Sequence, residues 1–251
     1  MDMIYGICPR CGTTSMVRAI RQSCRLRCAG EPFSWRGGFC QVYSDESMKT
    51  KTRSLEEARS MLEDKGVQLI KHVDFALTTK ENLHLLNTMN NVIFMYRKHY
   101  VDVFLSRYMN DSVSSDFQLW HKTPAILKSK RYQRRQELYS NEMRSAVNIG
   151  KMKSEYRAAK KRWNKVLRPR LPDGWGVRKS VMFIEYGSTY NTDKIYECFF
   201  DVVNFLGMSI FNNKWKEMLS PQIKLNNEEV YSKVIPNYEE VMSYRDKLIL
   251  E

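Results

Sequence analysis

Several features that define whole classes of protein are missing from this sequence. No run of about 18 apolar residues occurs, so hydropathy predicts no membrane-spanning helix. The first residues lack a basic stretch followed by a long apolar segment, so we expect no secretory signal. Six cysteines without an export signal indicate reduced thiols. We therefore expect a cytoplasmic location.

Two motifs of nucleotide and nucleic-acid chemistry are missing as well. The string G-x-x-x-x-G-K-[ST], whose lysine reaches the β- and γ-phosphates of a nucleotide, does not occur. An ordinary P-loop ATPase or kinase is therefore not expected. Zinc-finger and RNP motifs, which accompany many nucleic-acid-binding surfaces, are absent too.

The composition is that of a folded protein with a strong positive charge. The 251 residues are 43% hydrophobic and 12% aromatic, which is enough for the core of one large α/β domain or two small ones. The formal net charge of +13 indicates an anionic ligand or partner. Residues 121–179 hold 18 Lys and Arg against 4 Asp and Glu, so this stretch carries the whole positive excess and the rest of the chain is close to neutral.

Strand-like and helix-like patterns alternate along the first 110 residues. Short apolar runs predict strands at residues 4–8, 67–73 and 91–97, and helical patterns follow each of them. A further strand is predicted at 180–187 and a helix at 192–207. Such alternation is typical of an α/β fold with a parallel sheet. We predict one P-loop-like domain over 1–251, flanked by helices, with a helical basic insertion at 116–178 before the last core strand.

The stretch "CPRCGTT" fits two kinds of site. Cys8 and Cys11 form a pair suited to zinc, which needs four ligands, but the only nearby second pair is the wider-spaced Cys24 and Cys28, with Cys40 as a spare. Alternatively, a strand before the stretch and a helix after it predict a phosphate-binding loop at a helix N-terminus. In that case Gly12 admits an oxyanion close to the backbone, and Arg10, Thr13 and Thr14 supply charge and hydroxyls. We favour the phosphate loop, without a metal; a turn that binds nothing is the third possibility.

These residues resemble a known family. "PRCGTTSM" resembles the P-[KR]-[SC]-G-T-T loop of sulfotransferases that use 3′-phosphoadenosine-5′-phosphosulfate (PAPS), and "FMYRKHYVDVFLSRYM" resembles the element that holds the 3′-phosphate. Two further stretches resemble motifs that come later in the family's chains. The first is "VMFIEYGSTYNTDKIYECFFDVVNFLG", and the second is "IPNYEEV", which resembles a motif of the smaller bacterial and viral members. The resemblance implies PAPS as sulfuryl donor. It assigns cofactor binding to Arg10, Cys11, Gly12, Thr13, Thr14, Arg97, Ser106 and Lys224. Arg97 stands nine residues before Ser106, whereas Lys98 would give the spacing of eight found in many members.

The resemblance also implies catalytic residues. Arg10 occupies the place of the family's loop lysine, beside the leaving phosphate oxygen. Members use a glutamate or a histidine as the base that takes the acceptor's proton. Glu31, in "CAGEPFSW", resembles the glutamate, whereas His72 ends the second predicted strand at the sheet edge where ligands bind. We favour Glu31 and leave His72 open; either one can equally be an ordinary loop carboxylate or a buried histidine.

The basic stretch interleaves Lys and Arg with Tyr132, Tyr139, Tyr156 and Trp163. This pattern fits nucleic acid, a sulfated or carboxylated glycan, or a solvated helical face whose aromatic residues pack inward. Overall we expect a PAPS-dependent sulfotransferase that acts on a hydroxyl or amine of a small molecule or carbohydrate. An anionic acceptor is one candidate, and we do not expect nucleic acid as a partner. The alternatives are a nucleic-acid-binding protein with a zinc knuckle and an inactive member that keeps the fold.

Overall fold

The computed structural model describes most of the chain, in eleven stretches. These are residues 1–8, 11–36, 39–43, 49–52, 54–111, 133–134, 137, 140–166, 180–190, 194–219 and 228–250. The chain divides into two compact units, Met1–Tyr96 with Lys161–Leu219, and Arg97–Lys160 with Ser220–Glu251. Much of the predicted insertion at 116–178 lies outside the described residues, and one domain over 1–251 stays a prediction.

The first unit is built on a five-stranded parallel sheet. Its strands are β1 Asp2–Gly6, β2 Cys28–Gly30, β6 Leu69–Val73, β7 Asn91–Tyr96 and β8 Ser180–Glu185. They run in the order β2-β6-β1-β7-β8, and each neighbouring pair is parallel. The predicted α/β class, a parallel sheet flanked by helices, is therefore confirmed.

A second, antiparallel sheet in the first unit was not predicted from the sequence. Its order is β3-β4-β5. The strands are β3 Ser34–Arg36, β4 Phe39–Tyr43 and β5 Lys49–Thr52. They are only three to five residues long and carry no continuous apolar run, which is why the hydrophobic pattern missed them.

The helices match the predicted ones in the first part of the chain. They are α1 Thr13–Cys24, α2 Leu55–Asp64, α3 Thr79–Thr88, α4 Tyr100–Asp111, α5 Ile149–Val166, α6 Tyr186–Tyr190, α7 Lys194–Phe205, α8 Lys214–Leu219, α9 Glu228–Val234 and α10 Tyr238–Met242, and a 3₁₀ turn spans Asp74–Ala76. Ser54 caps α2 by accepting a hydrogen bond from the Glu57 amide at 3.0 Å. Thr78 and Glu81 form a reciprocal capping box at the start of α3.

The three central strands are buried on both faces of the sheet. Every residue of β6 is buried, and Met3, Ile4 and Tyr5 of β1 are fully buried. Because side chains alternate along a strand, consecutive residues point to opposite faces. Tyr5 pairs in register with His72 and with Phe94, and its ring lies 5.4 Å and 5.3 Å from theirs. Lys71 therefore points to the opposite face from this ring cluster.

The ring face of the sheet also carries a small polar network. The Tyr5 hydroxyl donates to the Asp74 carboxylate, whose other oxygen pairs with Arg162 at 2.8 Å. The side chain of Asn82, on α3, contacts His72 Nε2 at 2.6 Å and donates to the Asp74 carbonyl at 2.8 Å. Among the described residues, this network pairs one ring nitrogen of His72, whereas the other, Nδ1, is buried without a hydrogen-bond partner.

The second unit is held by ion pairs and by hydrogen bonds to its last residues. Arg245 makes two hydrogen bonds, of 3.0 and 3.1 Å, to the Asp102 carboxylate. The Tyr156 hydroxyl donates to the Ile249 carbonyl at 2.9 Å. Arg107 pairs with Glu155. An arginine that makes two hydrogen bonds to one carboxylate, as Arg245 does to Asp102, fixes the geometry of the pair as well as balancing its charge.

No helix within the described part of the chain combines the length and the apolar character that crossing a membrane requires.

His72 should make the stability of the fold depend on pH. Burial lowers the pKa of His72 from 6.5 to about 4, so between these values the unfolded chain binds a proton that the folded chain does not. The free energy of unfolding should therefore fall by about 1.4 kcal/mol per pH unit from this group as the pH drops from about 6.5 to 4. Urea unfolding of wild type and His72→Gln at pH 7, 6 and 5 measures it. Asp74 titrates in both proteins, so the difference between their pH profiles reports His72. Parallel profiles would therefore contradict a lowered pKa for His72.

Candidate functional site

The loop between β1 and α1 contains two buried thiols. The Ile7 amide donates to the Met95 carbonyl at 3.1 Å, which extends the pairing just past β1. Cys8 and Cys11 are both buried, and the Cys11 thiol donates to the Cys8 carbonyl at 3.0 Å. The predicted strand–loop–helix order is confirmed, and Cys11 helps to close the loop. Arg10 lies outside the described residues.

Gly12 is fitted to two tyrosine rings. Its φ of 84° lies in the left-handed region, and a Cβ there would lie 2.7 Å from the Tyr186 ring and 2.9 Å from the Tyr190 ring. The two rings stack on each other at 4.5 Å, and the Tyr190 hydroxyl donates to the Gly12 carbonyl at 3.0 Å. We expected glycine here so that an oxyanion could approach. The rings require glycine whether or not a ligand binds.

The N-terminus of α1 is not capped by a side chain. Gly12 precedes the helix, no acidic residue lies in the first turn, and the first helical hydrogen bond is that of Met16 to Gly12, at 3.2 Å. The amides of Thr13, Thr14 and Ser15 thus have no partner within the helix. Together with the helix dipole they form a positive end that suits an anion.

Lys71 joins this helix end to Glu31. Its Nζ donates to Thr14 Oγ1 at 2.6 Å and contacts the Glu31 carboxylate. The Lys71 side chain is 11% exposed and the Glu31 side chain 47%. The structure therefore brings two predicted site residues, Thr14 and Glu31, together through a lysine that the sequence analysis did not single out.

Glu31 is held in an unusual backbone conformation. Its φ is +52°, in the left-handed region that a residue other than glycine rarely adopts. Its amide donates to the Lys71 carbonyl at 2.8 Å, directly after the pairing of Gly30 with Lys71. Strained backbone of this kind persists where surrounding structure over-determines it, often at functional sites.

His72 lies away from this cluster. It is fully buried on the ring face of the sheet, with its Nε2 against Asn82. Burial, opposed by the Asn82 hydrogen bond and the Glu31 charge, lowers its pKa to about 4. A neutral imidazole with no exposed surface is poorly placed to take a proton from a bound acceptor. His72 is therefore not part of the cluster that Thr14, Lys71 and Glu31 form.

The other predicted cofactor residues fall in the second unit or outside the described residues. Arg97 directly follows β7, and its Nη1 lies 3.5 Å from the Asp102 carbonyl in the first turn of α4. Ser106 is buried on the same helix, one turn beyond Asp102. Lys98 is half-buried. Lys224 lies outside the described residues.

The described cysteines and acidic residues form no metal centre. Among the residues that the structure describes, no group of three or more His, Cys, Asp or Glu side chains is placed to hold a metal ion. Burial raises the pKa of the Cys28 thiol to about 12 and that of Cys24 above its usual value. Both thiols therefore stay protonated at neutral pH in this structure.

The described part of the basic stretch shows a solvated face with packed aromatic residues. Trp163 is buried, 5.1 Å from the Tyr96 ring, and the Tyr156 hydroxyl is bonded to the Ile249 carbonyl. The exposed basic residues of α5 are Lys151, Arg157, Lys161 and Lys165. Tyr132 and Tyr139 lie outside the described residues. For α5 these contacts favour the interpretation in which the aromatic residues pack inward.

Comparisons of the chain with protein-family models, with curated proteins and with solved structures give no match.

Gly12→Ala should destabilise the protein more than an alanine at another left-handed glycine. Gly207 has a φ of 64° and open space around it, so Gly207→Ala tests the backbone cost alone, about 1 kcal/mol. Gly12→Ala adds a clash with the rings of Tyr186 and Tyr190, which should cost about 1–3 kcal/mol more. Urea unfolding of the two variants measures the difference. Equal losses of stability would show that the rings of Tyr186 and Tyr190 move aside without cost, and would contradict the prediction.

Proposed function

We propose that this chain is a sulfotransferase that transfers a sulfuryl group from PAPS to a hydroxyl or amine acceptor. The observation that carries the proposal is the contact of Lys71 with both Thr14 and Glu31 at the uncapped start of α1. It combines the three things that such a reaction needs: donors for a phosphosulfate, a cation and a carboxylate. The resemblance of "PRCGTT" to the family's loop supports the same assignment.

The topology supports a P-loop-like fold for this enzyme. β1 is the central strand of the five, and it leads through a glycine-containing loop into α1. In parallel sheets, ligands bind beyond the carboxyl ends of the strands, near a change in strand order. β1 meets that description, since β6 lies on one side of it and β7 on the other.

The reaction is an in-line displacement at sulfur. The acceptor oxygen or nitrogen forms a bond to sulfur while the bond from sulfur to the bridging phosphate oxygen breaks. The acceptor's proton passes to the Glu31 carboxylate, and the electron pair of the broken bond stays on the phosphate of the departing adenosine 3′,5′-bisphosphate. Like phosphoryl transfer, this chemistry depends on positioning and on stabilising the charge that develops.

Each group has a defined role in this proposal. The amides at the start of α1 and the Thr14 hydroxyl bind the 5′-phosphosulfate; because Thr14 Oγ1 accepts from Lys71, its hydrogen can point to the ligand. Arg10 stabilises the leaving oxygen, and Arg97 and Ser106 bind the 3′-phosphate. A carbohydrate is one candidate acceptor.

The cysteines described with their side chains form no disulfide, which supports a reducing, cytoplasmic setting.

Binding of the desulfated product tests the cofactor. Adenosine 3′,5′-bisphosphate should bind more tightly than adenosine 5′-phosphate, and Arg97→Ala should remove most of this preference. A charge-assisted hydrogen bond contributes roughly 1.5–3 kcal/mol, or about ten- to hundredfold in Kd. Isothermal titration calorimetry measures both ligands, with Lys98→Ala as the matched control for the alternative spacing. Equal binding of the two nucleotides to wild type would rule out a 3′-phosphate site.

The rate of sulfuryl transfer tests the base. Glu31→Gln should lower kcat by about 10²–10⁴-fold, the usual contribution of a positioned base. His72→Gln should leave kcat within a few-fold of wild type, because His72 is buried on the other face. Transfer of labelled sulfuryl from PAPS to desulfated polysaccharides and small alcohols and amines gives the rates. A large loss in His72→Gln beside an active Glu31→Gln would reverse the assignment.

A further inference from the structure

Lys71 is a nearly buried cation shared between two partners. It lies in the middle of β6, and its ammonium group contacts the Thr14 hydroxyl and the Glu31 carboxylate. An ammonium group has three donors and no acceptor. Its position at the uncapped end of α1 puts it beside the amides that would hold an anion.

An anion arriving at the start of α1 competes with Glu31 for this ammonium group. The helix end is already positive and has no acidic residue in its first turn. Glu31 is the carboxylate that the structure pairs with Lys71. In a poorly solvated setting, one ammonium group cannot fully serve two negative charges, because they also repel each other.

The two partners differ in how easily they can leave. The Lys71 side chain is 11% exposed and issues from a central strand, so its path is confined. The Glu31 side chain is 47% exposed. Its backbone is held by the hydrogen bond that the Glu31 amide donates to the Lys71 carbonyl at 2.8 Å. Rotation of the Glu31 side chain alone can therefore break the pair.

We propose that Lys71 couples anion binding at the start of α1 to the release of Glu31. The bound phosphosulfate takes the Lys71 ammonium group, and the freed Glu31 carboxylate turns to the acceptor. Lys71 then acts as a positioning residue for the base, and the base is available only when the donor is bound. This coupling rests on the proposed function and adds an order of events to it.

The coupling has a consequence that can be measured without turnover. If Glu31 competes with the anion for Lys71, then the Glu31 carboxylate weakens anion binding, since coupling between two sites is reciprocal. Removing its charge should tighten anion binding, by roughly 5- to 150-fold, the usual range for coupled sites. Removing Lys71 should weaken anion binding and also abolish the effect of the Glu31 change.

Calorimetric titration of a four-protein cycle tests this. The proteins are wild type, Glu31→Gln, Lys71→Met and the double variant, and the probes are inorganic pyrophosphate and adenosine 3′,5′-bisphosphate. Glu31→Gln should tighten binding at least fivefold in the wild-type background and less than twofold in the Lys71→Met background. Equal tightening in both backgrounds would mean simple charge repulsion and would overturn the coupling.

Two controls guard against indirect effects. Asp64→Asn removes one exposed carboxylate at the end of α2, which precedes β6, and should leave both affinities unchanged. A gain in affinity equal to that of Glu31→Gln would overturn the coupling in favour of net charge. If Lys71→Met fails to fold, as judged by thermal unfolding, Lys71→Arg replaces it; this variant keeps a cation and should keep the effect of Glu31→Gln.

The same titrations separate this inference from the proposed function. If neither probe binds to wild type or to any variant, the anion site itself fails, and both proposals fall. If both probes bind but Glu31→Gln does not tighten them, the coupling fails while the anion site stands.

Discussion

The pleat of β6 determines what each of two neighbouring residues can do. Lys71 and His72 are consecutive, so they point to opposite faces of a sheet whose central strands are buried on both sides. His72 lies among rings and is held neutral by burial. Lys71 faces α1, where a buried ammonium group needs partners, because an unpaired charge is costly there. Thr14 and Glu31 meet that need, and so the loop after β2 and the start of α1 are held together.

The order of strands and helices could be predicted from the sequence because strong local signals mark it. The continuous apolar run of β7 and the serine at position 54, which caps α2, reflect short-range physics, which a sequence displays directly. The small sheet β3-β4-β5 could not be predicted, because its short strands depend on pairing rather than on a hydrophobic pattern. β2 was missed for the same reason, with only three residues.

The candidate site could be predicted only in part. The sequence indicated Thr14 and Glu31, but it could not show that they meet, since sixteen residues lie between them and the contact runs through Lys71 on a third element. In "LIKHV" the pattern marks a buried strand without saying which residue faces which helix. His72 was placed correctly at the end of its strand, yet its face was decided by the register with Tyr5. Arg10 and Lys224 stay predictions.

Gly12 shows that a residue which a motif requires can also have a purely structural reason. A glycine in a strand-to-helix loop indicates a phosphate site because it permits a left-handed turn and a close approach. Here the turn is present, and Tyr186 and Tyr190 occupy one side of the glycine. The amides of Thr13 and Thr14 do not depend on that side. The tyrosine rings fix the turn, the turn sets the direction of the first amides of α1, and the Lys71 ammonium group that lies beside this helix end comes from β6.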